Sequence, residues 1–362
     1  FGELYLKQAM ASGVVPQITA VFGTCGGGMA VASAMSDFTF MESKKAKLFV
    51  NSPNALEGND ASKCDTASAK FQSEEVGNVD VVAEEAELIT KIRDLVSLLP
   101  VNNEDDLSYM DCEDDLNRVC ADLEASAADP AITLPMISDS GIFFETKAEY
   151  GKDMVTGFIK LNGTTVGAVA NRSTLYDEEG NAVEEFNAEI SARGCEKAAK
   201  FVEFCDAFNI PVLTLTNAAG FKATKCSEKK MAAAAAALTY AFAEATVPKV
   251  NVVVGKAYGS AYVTMNSKGL GADVVYAWPN AKIGMMGAKL AAKVMYPEAD
   301  AKELREKEAA YAELQNSVAS AAKRGYVDSV IEAQDTRKYV IGAFEMLYTK
   351  REDRPFKKHG TV

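Results

Sequence analysis

Two glycine-rich stretches carry residue types that can do chemistry without a charged side chain. One is Gly23-Thr24-Cys25-Gly26-Gly27-Gly28, and the other runs from Gly255 through Tyr258-Gly259-Ser260 to Ala261. Each follows a strongly β-forming run: Val15 to Phe22 behind Pro16 in the first, Val250 to Val254 behind Pro248 in the second. Ala261 onward reads as a helix. A strand that feeds a glycine turn and then a helix aims unpaired backbone N–H groups at one point, and the helix dipole adds positive potential there. Such a turn can hold a negatively charged oxygen. The reading that competes with this one is a pair of tight packing turns.

The two stretches align without a gap at an offset of 232 positions, which takes Gly23 to Gly255, Gly27 to Gly259 and Gly28 to Ser260. A second echo follows in the same order, Gly77-Asn78-Val79-Asp80-Val81-Val82 against Gly325-Tyr326-Val327-Asp328-Ser329-Val330. Two ordered matches read as an internal duplication, with one oxyanion-type site in each half.

Other side chains offer less. Ser260 has no evident base and does not read as a nucleophile. Cys25 reads as a small buried residue. Lys222, Lys225, Lys229 and Lys230 read as a solvated helix start, the Glu104–Asp115 run as a solvated surface, and Ala232–Ala237 as a packing face. The only histidine is His359, which excludes most His-dependent triads and argues against a His-ligated metal site.

The elements that must position the turns come next. Residues 2–12 read as a helix. Phe38–Met41 with Lys47–Val50, and Asp273–Trp278 with Lys282–Met286, read as matching strand pairs. Residues 52–75 read as irregular, Glu84–Leu99 as an amphipathic helix, and 101–130 as an acidic connection with a helix over Leu116–Leu123. Gly157–Leu161 and Thr164–Asn171 flank Asn162-Gly163, a type I′ hairpin signal. Helices are expected over Glu185–Phe208 and Ser227–Glu244, a strand over Pro211–Leu215, and two or three helices after residue 286. Only 15 residues precede Pro16, so the first repeat is expected to be truncated at its N-terminal side.

Bulk properties bound the function. The chain has 362 residues, of which 48% are hydrophobic, enough for two cores. A net charge of −13 and a pI near 4.8 argue against nucleic-acid or anionic-membrane surfaces. No apolar run has the length of a membrane span. Seven cysteines without a Cys-x-x-Cys pair suit a reduced cytoplasm.

Against this background the sequence resembles the carboxyltransferase subunits of biotin-dependent acyl-CoA carboxylases and decarboxylases. The propionyl-CoA carboxylase beta type and the methylmalonyl-CoA/glutaconyl-CoA decarboxylase alpha type both fit. The resemblance runs along nearly the whole chain, through Ser12–Ile18, Gly23–Gly28, Val155–Phe158, Val166–Asn171, Ala243–Lys249, Lys256–Gly259, Met265–Lys268, Gly271–Asp273, Tyr276–Pro279, Met286–Ala288 and Asp335–Arg337. It implies an α/β fold of tandem crotonase-like ββα-superhelix domains, a partial N-terminal domain at 1–125 and a C-terminal domain at 126–362. It also implies transfer of CO2 between carboxybiotin and a short-chain acyl-CoA of the propionyl-CoA or acetyl-CoA class.

By that resemblance Gly27 and Gly28 hold the thioester enolate oxygen, while Ser260 and Ala261 hold the ureido oxygen left when carboxybiotin loses CO2. A biotin nitrogen takes the α-proton. Gly26, Gly259, Tyr262, Val263, Gly220, Phe221, Gly287 and Ala288 line the substrate. Biotin arrives on a separate carrier, the coenzyme A ester is the substrate, and no metal is needed. The implied partners are a biotin carboxyl carrier protein with a biotin carboxylase, or a membrane decarboxylase subunit. A homo-oligomer with its site at the dimer interface is also implied. The alternatives are a methylmalonyl-CoA or glutaconyl-CoA decarboxylase component and a catalytically degenerate scaffold. The family usually has glycine where Ser260 stands, and a Cβ there is costly if the position needs a positive φ.

Overall fold

The computed structural model describes residues 1–105 and 111–357; Asp106, within the acidic run, and His359 lie outside them. The chain opens with α1 (Gly2–Ala11), β1 (Ile18–Val21), β2 (Thr24–Gly26), α2 (Gly28–Ala34), β3 (Phe38–Glu42) and β4 (Lys47–Phe49). It continues with α3 (Ala69–Phe71), β5 (Val81–Ala83) and α4 (Glu85–Leu98). β1, β3 and β5 form a parallel sheet in that order, and β2 pairs with β4 in a second one.

After α5 (Leu123–Ser126) and α6 (Pro130–Ile137) come β6 (Phe143–Thr146), β7 (Met154–Leu161) and β8 (Thr164–Asn171). The β7–β8 turn places Asn162 at φ +49° and Gly163 at φ +76°, the type I′ geometry that Asn-Gly favours. β9 (Thr174–Tyr176) and β10 (Ala182–Glu185) make a small hairpin, and β11 (Glu189–Ile190) leads into α7 (Ala192–Ala207). Next are β12 (Val212–Ala218), β13 (Gly220–Phe221), α8 (Lys225–Glu228), α9 (Met231–Glu244), β14 (Lys249–Tyr258) and α10 (Gly259–Thr264). The chain ends with β15 (Val274–Ala277), β16 (Lys282–Gly284), α11 (Ala288–Met295), α12 (Ala301–Tyr311), α13 (Val318–Lys323), β17 (Ser329–Val330) and α14 (Thr336–Leu347).

The large sheet has the order β17-β15-β14-β12-β8-β7-β6, with β16 beside the end of β14. Side-chain alternation sorts its two faces. Val212 and Val169 join the buried cluster of α7 and α9, whereas Leu213, Leu215, Val250 and Val252 join Leu134 of α6 and Val340 of α14. The first cluster also takes in Phe38 and Phe40 of β3, and Phe38 lies edge-on to Phe204 at 4.8 Å. α9 is fastened at its C-terminal end by buried Lys249, which donates to the Phe242 and Ala245 carbonyls at 2.7 and 2.8 Å. Burial lowers the pKa of that ammonium to about 8. No helix among the described residues is long and apolar enough to cross a membrane.

The same plan occurs twice. β1-β3-β5 matches β14-β15-β17, and β2–β4 matches the end of β14 with β16. Antiparallel bridges close both copies, Lys47 with Ser68 and Lys282 with Ser317. Asp80 accepts from the Thr39 N–H and Asp328 from the Val275 N–H, each at 2.8 Å. Gly27 and Gly259 both hold positive φ, +61° and +57°. One difference is that β14 has β12 on its other side, whereas β1 is an edge strand.

Several expectations need correction. The helix expected over Leu116–Leu123 begins only at Leu123. That expected from Glu185 starts at Ala192, because Glu189–Ile190 pairs with β13 and the Ser191 side chain caps the helix by accepting from the Gly194 N–H at 3.0 Å. The Ser227–Glu244 helix is interrupted at Lys230, whose φ of −125° is not helical. Among the described residues four α-helices rather than two or three helices follow β16. Asp114 in the acidic run is not simply solvated: it binds Arg118 at 3.0 Å, which is the largest cause lowering its pKa to about 2.

Arg337 closes this region from inside. It is fully buried and donates to the Ile137 carbonyl and Asp139 at 2.7 Å each, and to the Asp115 carbonyl at 3.2 Å. Arg337→Met leaves Asp139 without its buried partner, and chemical denaturation should show a loss of about 3–5 kcal/mol. Asp114 sets a pH dependence of definite sign. Its folded pKa lies below its ordinary value of 3.8, so the unfolded chain takes the proton first. The stability it contributes is complete above pH ~4 and is lost as pH falls towards 2, which acid titration of the unfolding midpoint reads and Asp114→Asn abolishes. Gly259→Ala forces a Cβ into positive φ, with the Met285 carbonyl only 3.0 Å away, and should cost about 1–2 kcal/mol or more. A stable Gly259→Ala protein would disprove that reading of the turn.

Candidate functional site

The second turn is built by a strand that changes neighbours. Val250–Val253 of β14 pair with β15, whereas Lys256–Tyr258 pair with β16. On the other side Thr216 of β12 faces Val253 but Ala218 already faces Ala257, so β14 carries extra residues across a bulge. Gly255 sits at that bulge: a Cβ there would lie 2.6 Å from Asn217 Oδ1. The strand therefore continues through Gly255 to Tyr258, where the sequence suggested a turn. Gly255 permits close approach, and Gly259 makes the turn.

α10 starts immediately, and the N–H groups of its first turn have no partner inside the helix. Those of Ser260 and Ala261 make no hydrogen bond among the described residues. Ser260 is exposed and lacks a positive φ, so its Cβ introduces no strain. Ala261 is buried and anchors the helix in the α7–α9 cluster. Tyr262 points into a separate apolar cluster with Val253, Ala257 and Ile283. Its hydroxyl is buried without a partner among the described residues, and burial raises its pKa to about 12. Val263 faces outward, 45% exposed.

Other expected residues gather around this turn. Gly287 caps α11, and a Cβ on it would lie 3.5 Å from the Tyr258 ring; Ala288 follows as the first helical residue. Gly220 and Phe221 form β13, which packs on α10, and Phe221 rests on the cluster that holds Ala261. Lys222, Lys225, Lys229 and Lys230 are all exposed.

The first turn lies apart. Gly26 is pressed against the Phe49 ring, where a Cβ would come within 2.9 Å. The Gly27 N–H donates to the Phe49 carbonyl at 2.9 Å, so Gly27 supplies the positive φ and not a free donor. Among the described residues the unpartnered N–H groups are those of Gly28 and Met29 at the start of α2. This is also what the offset of 232 gives, since Ser260 and Ala261 answer to positions 28 and 29. Tyr5 donates to the Gly28 carbonyl at 2.7 Å and holds α1 over the turn. Beside α2 lies a shallow cavity of about 370 Å³ lined by Phe22, Thr24, Cys25 and Met29. Cys25 is half-buried and burial raises its pKa, the reverse of an activated thiolate. α2 packs on α1 and β2, α10 on α9, β13 and β14, and no hydrogen bond among the described residues connects the two turns.

Neither turn carries a titratable side chain at its donors. What each can do is stabilise an anionic oxygen through backbone N–H groups without moving a proton. Sequence reasoning missed the residues that hold the second turn, Asn171, Asn217 and Asn251. Their signal was an asparagine inside, or at the end of, an otherwise apolar strand.

The carboxyl transferase domain family matches this chain over residues 1–362. The propionyl-CoA carboxylase carboxyltransferase subunit of Haloferax mediterranei is 37% identical over 383 residues, covering 100% of this chain and 72% of the relative. The methylmalonyl-CoA decarboxylase subunit alpha of Propionigenium modestum is 35% identical over 386 residues, with the same coverages of 100% and 72%. Among solved structures, transcarboxylase 12S, a hexamer determined with hydrolysed methylmalonyl-coenzyme A bound, superposes with a TM-score of 0.92 at 36% identity. That match covers 99% of this chain and 71% of the other. The repeated sheet plan is thus the crotonase fold, and the chain belongs to the carboxyl transferase domain family.

Proposed function

We propose that this enzyme moves a carboxyl group between biotin and a short-chain acyl-CoA of the propionyl-CoA or acetyl-CoA class. The observation that carries the reading is a pair of unpartnered N–H turns, one in each copy of the sheet plan, in a chain that matches the family from end to end. Biotin, delivered on a separate carrier, supplies a ureido group that can carry and release CO2. The residues fit it, because the Ser260 and Ala261 N–H groups have no partner among the described residues to displace, and Ser260 is exposed. They would hold the ureido oxygen, and Gly259 would set their direction. At the first turn Gly28, with Met29 beside it and Gly26 and Gly27 shaping the backbone, would hold the thioester oxygen of the CoA ester. Each donor is worth about 3–4 kcal/mol to a developing oxyanion.

Gly220, Phe221, Gly287 and Ala288 would wall the second turn, with Val263 facing the acyl group and Tyr262 supporting the helix from behind. Because the two turns lie apart in one chain, the reading requires a second copy to bring the first turn of one against the second turn of the other. It divides the chain into one domain at 1–125 and a second at 126–362. It also calls for a biotin carrier with either a biotin carboxylase or a membrane decarboxylase subunit, in the cytoplasm.

The test offers malonyl-CoA, methylmalonyl-CoA and glutaconyl-CoA to the protein with and without free biotin and follows the CoA products. Biotin-dependent loss of CO2 from malonyl-CoA or methylmalonyl-CoA is expected. The ester turned over names the acyl group, and no turnover from a folded oligomer would favour a scaffold. Ser260→Pro removes one N–H at a position of the first turn where proline is tolerated, and should lower kcat about 10²–10³-fold. Ser260→Ala keeps that N–H and should lose far less; an equal loss would make the hydroxyl, not the backbone, the working group.

A further inference from the structure

We infer that Asn217 and Asn251 are positioning residues: they fix the direction of the Ser260 and Ala261 N–H groups by holding the backbone on either side of α10. α10 has six residues, too few to be stable by its own hydrogen bonds, so its orientation is set by what it packs on and by what grips its ends.

At the entry, the Lys256 N–H donates to Asn217 Oδ1 at 3.0 Å, in the bulge where the backbone ladder between β12 and β14 is broken. Asn217 is itself fastened on both backbone sides. Its N–H donates to Asn171 Oδ1 at 2.7 Å, and Asn171 Nδ2 donates back to its carbonyl. The ends of β8, β12 and β14 are thereby tied together across the sheet. With Gly255 allowing the contact, the amide oxygen of Asn217 replaces the lost ladder bond and re-aims the strand towards Gly259.

At the exit, Asn251 is completely buried near the start of β14. Its Nδ2 donates to the Met265 and Asn266 carbonyls at 3.1 and 2.9 Å, and its Oδ1 accepts from Thr216 Oγ1 at 2.9 Å. Carbonyls at a helix end lack intrahelical partners, and here a strand side chain supplies them. Asn266, at φ +52°, adds a donation from its Nδ2 to Thr214 Oγ1 at 3.1 Å. A polar network inside an apolar sheet is costly where a member is left unpaired, and among the described residues Asn266 Oδ1 is buried without a partner, whereas both polar atoms of the Asn251 amide are paired. Neither Asn217 nor Asn251 lies at the donors, so each acts through the main chain.

The kinetic readout rests on the carboxyltransferase reading, so the test pairs it with one that does not. In the full chain, Asn217→Ala removes the acceptor for Lys256, whereas Asn217→Asp keeps it. Hydrogen exchange across residues 256–263 should quicken about tenfold in Asn217→Ala and stay near wild type in Asn217→Asp. With the CoA ester, kcat should fall about tenfold in Asn217→Ala at unchanged KM and return in Asn217→Asp, since only the reacting geometry is disturbed. Wild-type exchange in Asn217→Ala, or equal losses in both variants, would overturn the inference. So would an unchanged kcat in an enzyme that turns over. If the wild type shows no turnover while the exchange pattern holds, the carboxyltransferase reading fails and the positioning role stands.

Discussion

The candidate site depends on one constraint: β14 is held by parallel neighbours on both sides and must still deliver a free helix start at its end. A strand buried in this way has no slack. Its first half is locked by ladders to β12 and β15, and only by shedding β15 and taking β16 can it turn away from the sheet. Gly255 and Asn217 make that exchange possible without leaving the Lys256 N–H unpaired. Gly259 then converts the strand into a helix within one residue. Most of the surrounding architecture serves to keep this segment in place. α9 is capped by Lys249 at the start of the strand, and Asn251 grips the far end of α10.

The repeat shows how general the solution is. In the first copy two separate strands, β1 and β2, take the roles that β14 plays alone, with Gly23 in the place of Gly255. The Asp80–Thr39 and Asp328–Val275 bonds hold the third strand of each sheet at the same distance. What is not repeated is the support behind the helix. α2 is steadied by Tyr5 from α1, where α10 has buried Asn251 at its exit and half-buried Asn217 at its entry. The backbone geometry of the turn is common to both copies, and the means of holding it is local.

Much of this was legible in the residues. Glycine spacing located both turns, the offset of 232 paired them, and Asn162-Gly163 announced its hairpin. The failures have physical causes. Gly255 was read as a turn because glycine in a strand also marks close approach, and only the position of Asn217 decides between the two. Gly27 was read as a donor because its partner, the Phe49 carbonyl, comes from a strand that spacing does not bring near. The helix expected from Glu185 ignored a two-residue strand, too short to leave a periodic signal. Asp114 looked like surface charge because, beyond its near neighbour Arg118, the buried guanidinium beside it is that of Arg337, more than two hundred residues away.

The donors at both turns are main-chain atoms, and that changes what can injure the site. Reagents that seek thiols, imidazoles or amines find no target among the donors, and replacing the side chain at position 260 need not alter the hydrogen bond offered there. Serine can therefore stand at this position without strain. The price of this immunity is sensitivity to shape. Distant changes that shift the path of β14 by a fraction of an ångström would blunt the site, while its local composition stayed intact.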